Sequence, residues 1–172
     1  MSQKRIQLTL FIDENALGQI EKIRQEFNPE QYALIKAHAT LCREDELTQI
    51  EDVILNLAKC EMNSVTINFG DITRFSDGKG VLIPAIGENE QFQNLRKTIL
   101  KGIIEKPRNH QPHITLMHPR NSNCTDSIFN KIEKMELPSK ITFTKISLIE
   151  QKNGKEWAVL REFEFKNILL SQ

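Results

Sequence analysis

The segment His-x-Thr-Leu occurs twice in this chain, as His38-Ala39-Thr40-Leu41 and as His113-Ile114-Thr115-Leu116, 75 positions apart. The spacing extends beyond the motif. Moving the first half forward by 75 sets Ile6 on Val81, Leu8 on Ile83, Leu17 on Phe92 and Ile20 on Leu95. Apolar positions therefore recur in register, although identity outside the motif is weak. A chain that repeats its hydrophobic pattern is constrained to build two equivalent units. Successive side chains on a strand point to opposite faces, so His38 shares a face with Thr40, and His113 with Thr115. Two such strands side by side place two imidazoles and two hydroxyls in one cleft.

Each half reads as strand, helix, motif strand, helix. Residues 5–12 alternate as a strand. Over 14–27, Leu17, Ile20 and Ile23 fall at helical spacing, with Asp13 as N-cap and Asn28-Pro29 as the stop. The first motif strand covers 36–42. One amphipathic helix is predicted over 44–60, then a strand from Val65 running toward Phe75. A turn at 76–80 restarts the pattern. The predicted order is a strand over 81–86, a helix over 89–103, the second motif strand at 113–117 and a helix over 125–137. Pro84 requires its strand to be an edge or bulged there. Strands at 140–150 and 156–166 are joined through Lys152-Asn153-Gly154-Lys155, the signature of a type I′ turn. The expected fold class is α+β: two pseudo-symmetric lobes of antiparallel sheet plus helices around a central cleft. Residues 1–172 are expected to form a single bilobal domain, with repeats over roughly 5–75 and 80–150.

Lys plus Arg equals Asp plus Glu at 23 each. Extended duplex binding usually needs a basic excess to neutralise phosphates, so it is disfavoured, whereas a small cleft with local positive charge stays open. The balance points to short substrates. The first apolar run is too short and too alternating for a signal peptide, and nothing approaches a membrane span. Cys42, Cys60 and Cys124 have an odd count and no metal-type spacing, which reads as reduced thiols in a cytoplasmic protein.

Imidazole titrates near pH 6.5, so one of two His residues can take a proton from water while the other gives one to a leaving oxygen. Hydroxyls two residues on, on the same face, can stabilise charge on phosphoryl oxygens. The scheme uses no metal and no cofactor.

Ala37-His38-Ala39-Thr40-Leu41 and Pro112-His113-Ile114-Thr115-Leu116 resemble the paired motifs of the 2H phosphoesterase superfamily, which includes 2′-5′ RNA ligase-like proteins and 2′,3′-cyclic phosphodiesterases. The resemblance covers nearly the whole chain through its two-lobed layout. It implies the LigT-like fold and metal-independent action on 2′-linked or cyclic phosphate esters of nucleotides or short RNA. His38 and His113 then match the acid/base pair, and Thr40 and Thr115 the phosphate-binding hydroxyls. Basic residues just past the second motif can contact substrate in this family, which makes Arg120 a candidate. Arg43 and His118, each five positions past its His, are further candidates for substrate binding, with solvated or loop positions as the alternatives. Tyr32, in the loop before the first motif, and Phe75, near the turn between the lobes, are candidate base platforms. Trp157, Cys42 and Met117 read as packing residues. A monomer is expected.

Three other readings compete. His110, His113 and His118 could bind a metal, but no Cys or carboxylate completes a familiar spacing and Pro112 argues against a helical pair. The cleft could bind nucleotide or RNA without turnover. The same site could also run in reverse as a 2′-5′ RNA ligase, joining a cyclic phosphate to a 5′-hydroxyl.

Overall fold

A computed structural model describes residues 2–166. Strand alternation sorts the two motif strands, β2 (His38–Cys42) and β6 (His113–Met117), into two faces. Ala39, Leu41, Ile114 and Leu116 are fully buried on one face, while His38, Thr40, His113 and Thr115 lie half-buried on the other. Cys42 and Met117 are buried and pack.

The strands before the motifs are β1 (Lys4–Phe11) and β5 (Val81–Pro84). Those beyond them are β4 (Thr73–Arg74) and β8 (Lys145–Lys152), with β9 (Ala158–Glu164) last. Together they form one antiparallel sheet in the order β4-β5-β6-β2-β1-β8-β9. The 75-residue offset carries β1 onto β5, β2 onto β6 and β4 onto β8, so the sheet is symmetric about the β2–β6 seam. Only β9 has no mate. The offset also carries β3 (Val65–Asn68) onto β7 (Lys140–Phe143), and these two pair with each other in a second sheet. The repeat therefore meets itself twice.

The helices that follow β1 and β5 cross over. Helix α1 (Glu14–Phe27) packs against β6, and α4 (Glu90–Ile99) against β2. Each helix holds the loop after the opposite motif. Arg96 of α4, 1% exposed, donates to the Leu41 carbonyl and to Glu46. Asn28, at the end of α1, donates to Asn121 and accepts from the His118 backbone N–H. Glu46 and Asn121 are themselves 75 residues apart. Burial opposes the ionised Glu46 carboxylate, but the Arg96 guanidinium, the Arg43 backbone N–H and Arg108 outweigh it and hold its pKa at about 2.

The remaining helices are α2 (Pro29–Leu34), α3 (Ile50–Lys59) and α5 (Asp126–Ile132). Several boundaries differ from the sequence expectation. Asn28-Pro29 ends α1 but also begins α2, because proline suits the first helical position. The expected 44–60 helix is broken into a 3-10 turn (Glu44–Glu46) and α3, since Glu46 turns inward to meet Arg96. The expected 140–150 strand divides at Thr144, with β7 pairing to β3 and β8 to β1. The expected strand from Val65 stops at Asn68, and β4 joins the large sheet instead. Pro84 lies beyond the reach of β4, and β5 is bulged at Val81/Leu82. In the last hairpin Asn153 (φ 53°) and Gly154 (φ 71°) are both left-handed, as a type I′ turn requires. Among the described residues no helix is long and apolar enough to cross a membrane.

Candidate active site

The β2–β6 pairing centres on Ala39 opposite Ile114. One step along each antiparallel strand sets His38 opposite Thr115 and Thr40 opposite His113. The two histidines and two hydroxyls thus form a diagonal square on one face of the seam, lining a cleft of about 360 Å³.

The two rings are held alike. His38 Nδ1 lies 2.7 Å from the Lys36 carbonyl, and His113 Nδ1 lies 3.4 Å from the Gln111 carbonyl. A carbonyl only accepts, so Nδ1 carries the proton and Nε2 is left with a lone pair. Phe11 braces His38 edge-on at 6.0 Å between centroids, and Phe75 braces His113 at 5.8 Å. Burial lowers the His38 pKa to about 4, aided by the positive charges of Arg24, His113 and His118 and opposed by the Lys36 carbonyl. Burial also lowers His113, against its hydrogen bond to Gln111. Both rings are neutral near pH 7, and an anionic phosphate between them would favour their protonated forms.

Side chains that the motif does not announce complete the site. The Gln7 amide Nε2 donates to Thr9 Oγ1 and Thr40 Oγ1, at 2.9 Å each. With a lone pair occupied, Thr40 is left to donate its own proton outward. Arg24, 1% exposed, donates to Glu21 and to the Ile35 carbonyl, and Glu21 accepts from the Ala37 N–H. This ion pair fixes the backbone leading into His38 and places a cation beside its ring. Alternation makes Arg5, Gln7 and Thr9 one face of β1, next to the His38–Thr40 face of β2. That polar face was visible in the sequence and is easily mistaken for a solvated one.

His118 and Arg120 line the cleft, as does Trp157, which sequence alone assigns to packing. The Arg120 backbone N–H donates to His118 Nδ1 at 3.1 Å. His118 therefore keeps its proton on Nε2, the reverse of His38 and His113, and is a donor where they are acceptors. Arg43 is 55% exposed beside Asp45, outside the cleft. Its mate His118 is turned in by the Asn28 clamp, whereas the Arg96–Glu46 pair seals the loop after β2. Tyr32 lies on α2 rather than in a loop, is 38% exposed and does not line the cleft. His110 packs edge-on to His113 at 6.3 Å. Among the described residues no group of three His, Cys, Asp or Glu side chains is arranged to hold a metal ion.

A family model for the 2′-5′ RNA ligase superfamily matches residues 12–155. The chain belongs to this superfamily. Its fold is similar to E. coli LigT in apo form, with TM-score 0.65 and 14% identity over 97% of this chain and 100% of that one. It is also similar to LigT complexed with ATP, at 0.66 and 14% over 97% and 100%. A Thermus thermophilus protein gives 0.53 and 17% over 94% and 97%. No functionally curated protein matches the sequence. At these identities the structural likeness speaks to the fold, and the membership agrees with the 2H phosphoesterase motifs.

Proposed function

We propose that this superfamily member is a phosphodiesterase acting on 2′,3′-cyclic phosphates or 2′-5′-linked phosphates of nucleotides and short RNA. The observation that carries the reading is the diagonal square, in which two Nδ1-anchored imidazoles offer Nε2 to one point flanked by two threonine hydroxyls. One neutral Nε2 takes a proton from water as its oxygen attacks phosphorus. The other imidazole, protonated, delivers a proton to the departing ribose oxygen, and a phosphomonoester remains. Thr40 and Thr115 donate to the non-bridging oxygens. Arg120 and the Nε2–H of His118 bind the same anion from the loop after β6. One chain supplies both halves of the site, so a monomer suffices, and a cytoplasmic location suits these substrates. The LigT structures complexed with NADP+, with phosphate and with 3′-AMP support a nucleotide-binding cleft in the family.

The test is turnover of cyclic mononucleotides, cyclic-ended oligonucleotides and 2′-5′ dinucleotides in the presence of a chelator, with products identified. Monoester products are expected, with His38→Ala and His113→Ala each losing at least ~10²-fold in kcat. Wild-type turnover in both variants overturns the acid/base assignment. Joined products from a cyclic end and a 5′-hydroxyl would instead identify the reverse reaction, ligation.

A further inference from the structure

The chemical square is symmetric, but the wall beside it is not. On the cleft face of β1, Arg5 follows Gln7 toward the start of the strand, and Gln3 lies just before it. Their mates on the second half are Gly78 and Gly80, and that of Gln7 is Leu82. Gly80 has no room for a side chain, since a Cβ would sit 2.7 Å from the Met117 carbonyl oxygen and 2.7 Å from atoms of Phe75 and Pro119. At these three positions only the first half presents planar polar side chains to the cleft.

Those groups are fixed in place. The Arg5 guanidinium carbon lies 5.3 Å from the centroid of the Trp157 ring. Its Nε donates to Glu44 at 3.2 Å and its Nη1 to Gln151 at 3.3 Å. These in-plane bonds set the orientation of the guanidinium. The hairpin carrying Trp157 is tied down at both ends. Its turn exchanges two hydrogen bonds between Asn153 and Gln3, and the Trp157 backbone N–H donates to the Leu34 carbonyl at the end of α2. Fixed planar groups of this kind stack on bases without reading their edges. Two residues of strand separate Arg5 from Gln7, whose amide holds Thr40, a distance of about 7 Å. The wall and the Thr40 corner of the square line the same cleft.

We propose that the Arg5–Trp157 wall is the nucleobase subsite, and that the substrate is a purine nucleoside phosphoester bound with its base on the first-half side of the cleft. The proposal rests on the phosphodiesterase reading for its phosphate position. Purines are favoured because stacking strengthens with ring area.

Trp157 is the single tryptophan of the chain, so its fluorescence reports on the wall directly. The wild-type protein is titrated with guanosine 3′-monophosphate, cytidine 3′-monophosphate and ribose 3-phosphate, with affinities measured in parallel by calorimetry. The guanosine nucleotide is expected to change the emission and to bind about 10-fold more tightly than ribose 3-phosphate. The cytidine nucleotide should fall between. By calorimetry Trp157→Phe should retain this preference and Trp157→Ala should lose it. Equal affinity for all three ligands with unchanged emission overturns the subsite, and so does a preference that survives in Trp157→Ala. Neither result depends on turnover: a protein that binds with the expected preference yet cleaves no phosphodiester refutes the phosphodiesterase reading and leaves the base site standing.

Discussion

The two halves of this molecule share a backbone plan and clothe it differently. Around the seam they are alike: each motif histidine is anchored by a carbonyl two residues back and braced by a phenylalanine edge. Away from the seam they part. Gln7, Arg5 and Arg24 of the first half stand where the second has Leu82, Gly80 and Ile99. After the motifs the relation reverses, because the loop after β2 is sealed by Arg96 and Glu46 while the loop after β6 turns His118 and Arg120 into the cleft. Acid/base chemistry at phosphorus tolerates symmetry, since proton donor and acceptor exchange roles in the reverse reaction. Recognition of an unsymmetrical nucleoside does not tolerate it.

The threonines offer the largest test of this contrast. Thr40 is held by Gln7, whereas Thr115 has no side-chain partner among the described residues. A pre-oriented donor stabilises developing charge without first being ordered. Thr40→Val is therefore expected to lower kcat by about 10²-fold, and Thr115→Val by several-fold less. Gln7→Leu copies the second half onto the first. It should lower kcat about as far as the gap between the two threonines, and Thr40→Val should then cost less in its presence, a non-additivity that a double-mutant cycle reads directly. Equal effects of the two threonine variants, with Gln7→Leu silent, would remove the distinction.

A second contrast concerns stability. Gly80→Ala forces a Cβ against the Met117 backbone and is expected to destabilise the fold by about 1–3 kcal/mol in urea denaturation. Arg5→Ala, at the equivalent position, loses only partly exposed ion-pair and stacking contacts and should cost less than about 1 kcal/mol. Wild-type stability for Gly80→Ala would mean that the turn at 76–80 can move aside, and that the second half lacks a wall for some reason other than space.

The parts of the molecule that were legible in the sequence are those set by periodicity. Alternation and helical spacing located both motif strands and the helices after β1 and β5, and Asn153-Gly154 located the type I′ hairpin, because these signals are local. The self-pairing of β3 with β7 was not legible, since nothing within either segment specifies its partner. Glu46 breaks a helical pattern only because Arg96 waits 50 residues away. Within the site, His38, Thr40, His113 and Thr115 could be chosen in advance because they repeat. Arg5, Gln7 and Arg24 could not, because each is unique to one half, nor could Trp157, which lies outside the repeat, and each gains its meaning from a neighbouring element. Arg43 shows the converse: its place in the repeat matched that of His118, but the loops that follow are clamped differently.

The smallest effect concerns pH, and it also separates the halves. Both motif histidines have pKa values below the ordinary 6.5, His38 at about 4. The proposed two-histidine mechanism needs one ring neutral and the other protonated in the free enzyme, so on that reading kcat/KM should follow a bell lying between the two macroscopic values, with its optimum on the acid side of pH 6.5. For stability, the unfolded chain binds its histidine protons near 6.5, before the folded chain does. The contribution of the neutral rings is thus present above 6.5 and is lost as pH falls toward about 4. Burial is the main cause in both halves, but Arg24 adds a cation beside His38 that its mate Ile99 cannot supply beside His113. Replacing the pair together, Arg24→Met with Glu21→Gln, avoids leaving a half-buried carboxylate without its cation. It should raise the acidic limb of the kcat/KM profile and leave the basic limb in place. A shift of both limbs by the same amount would show that the cation acts on the cleft as a whole, and that the two histidines are electrostatically equivalent despite their unequal surroundings.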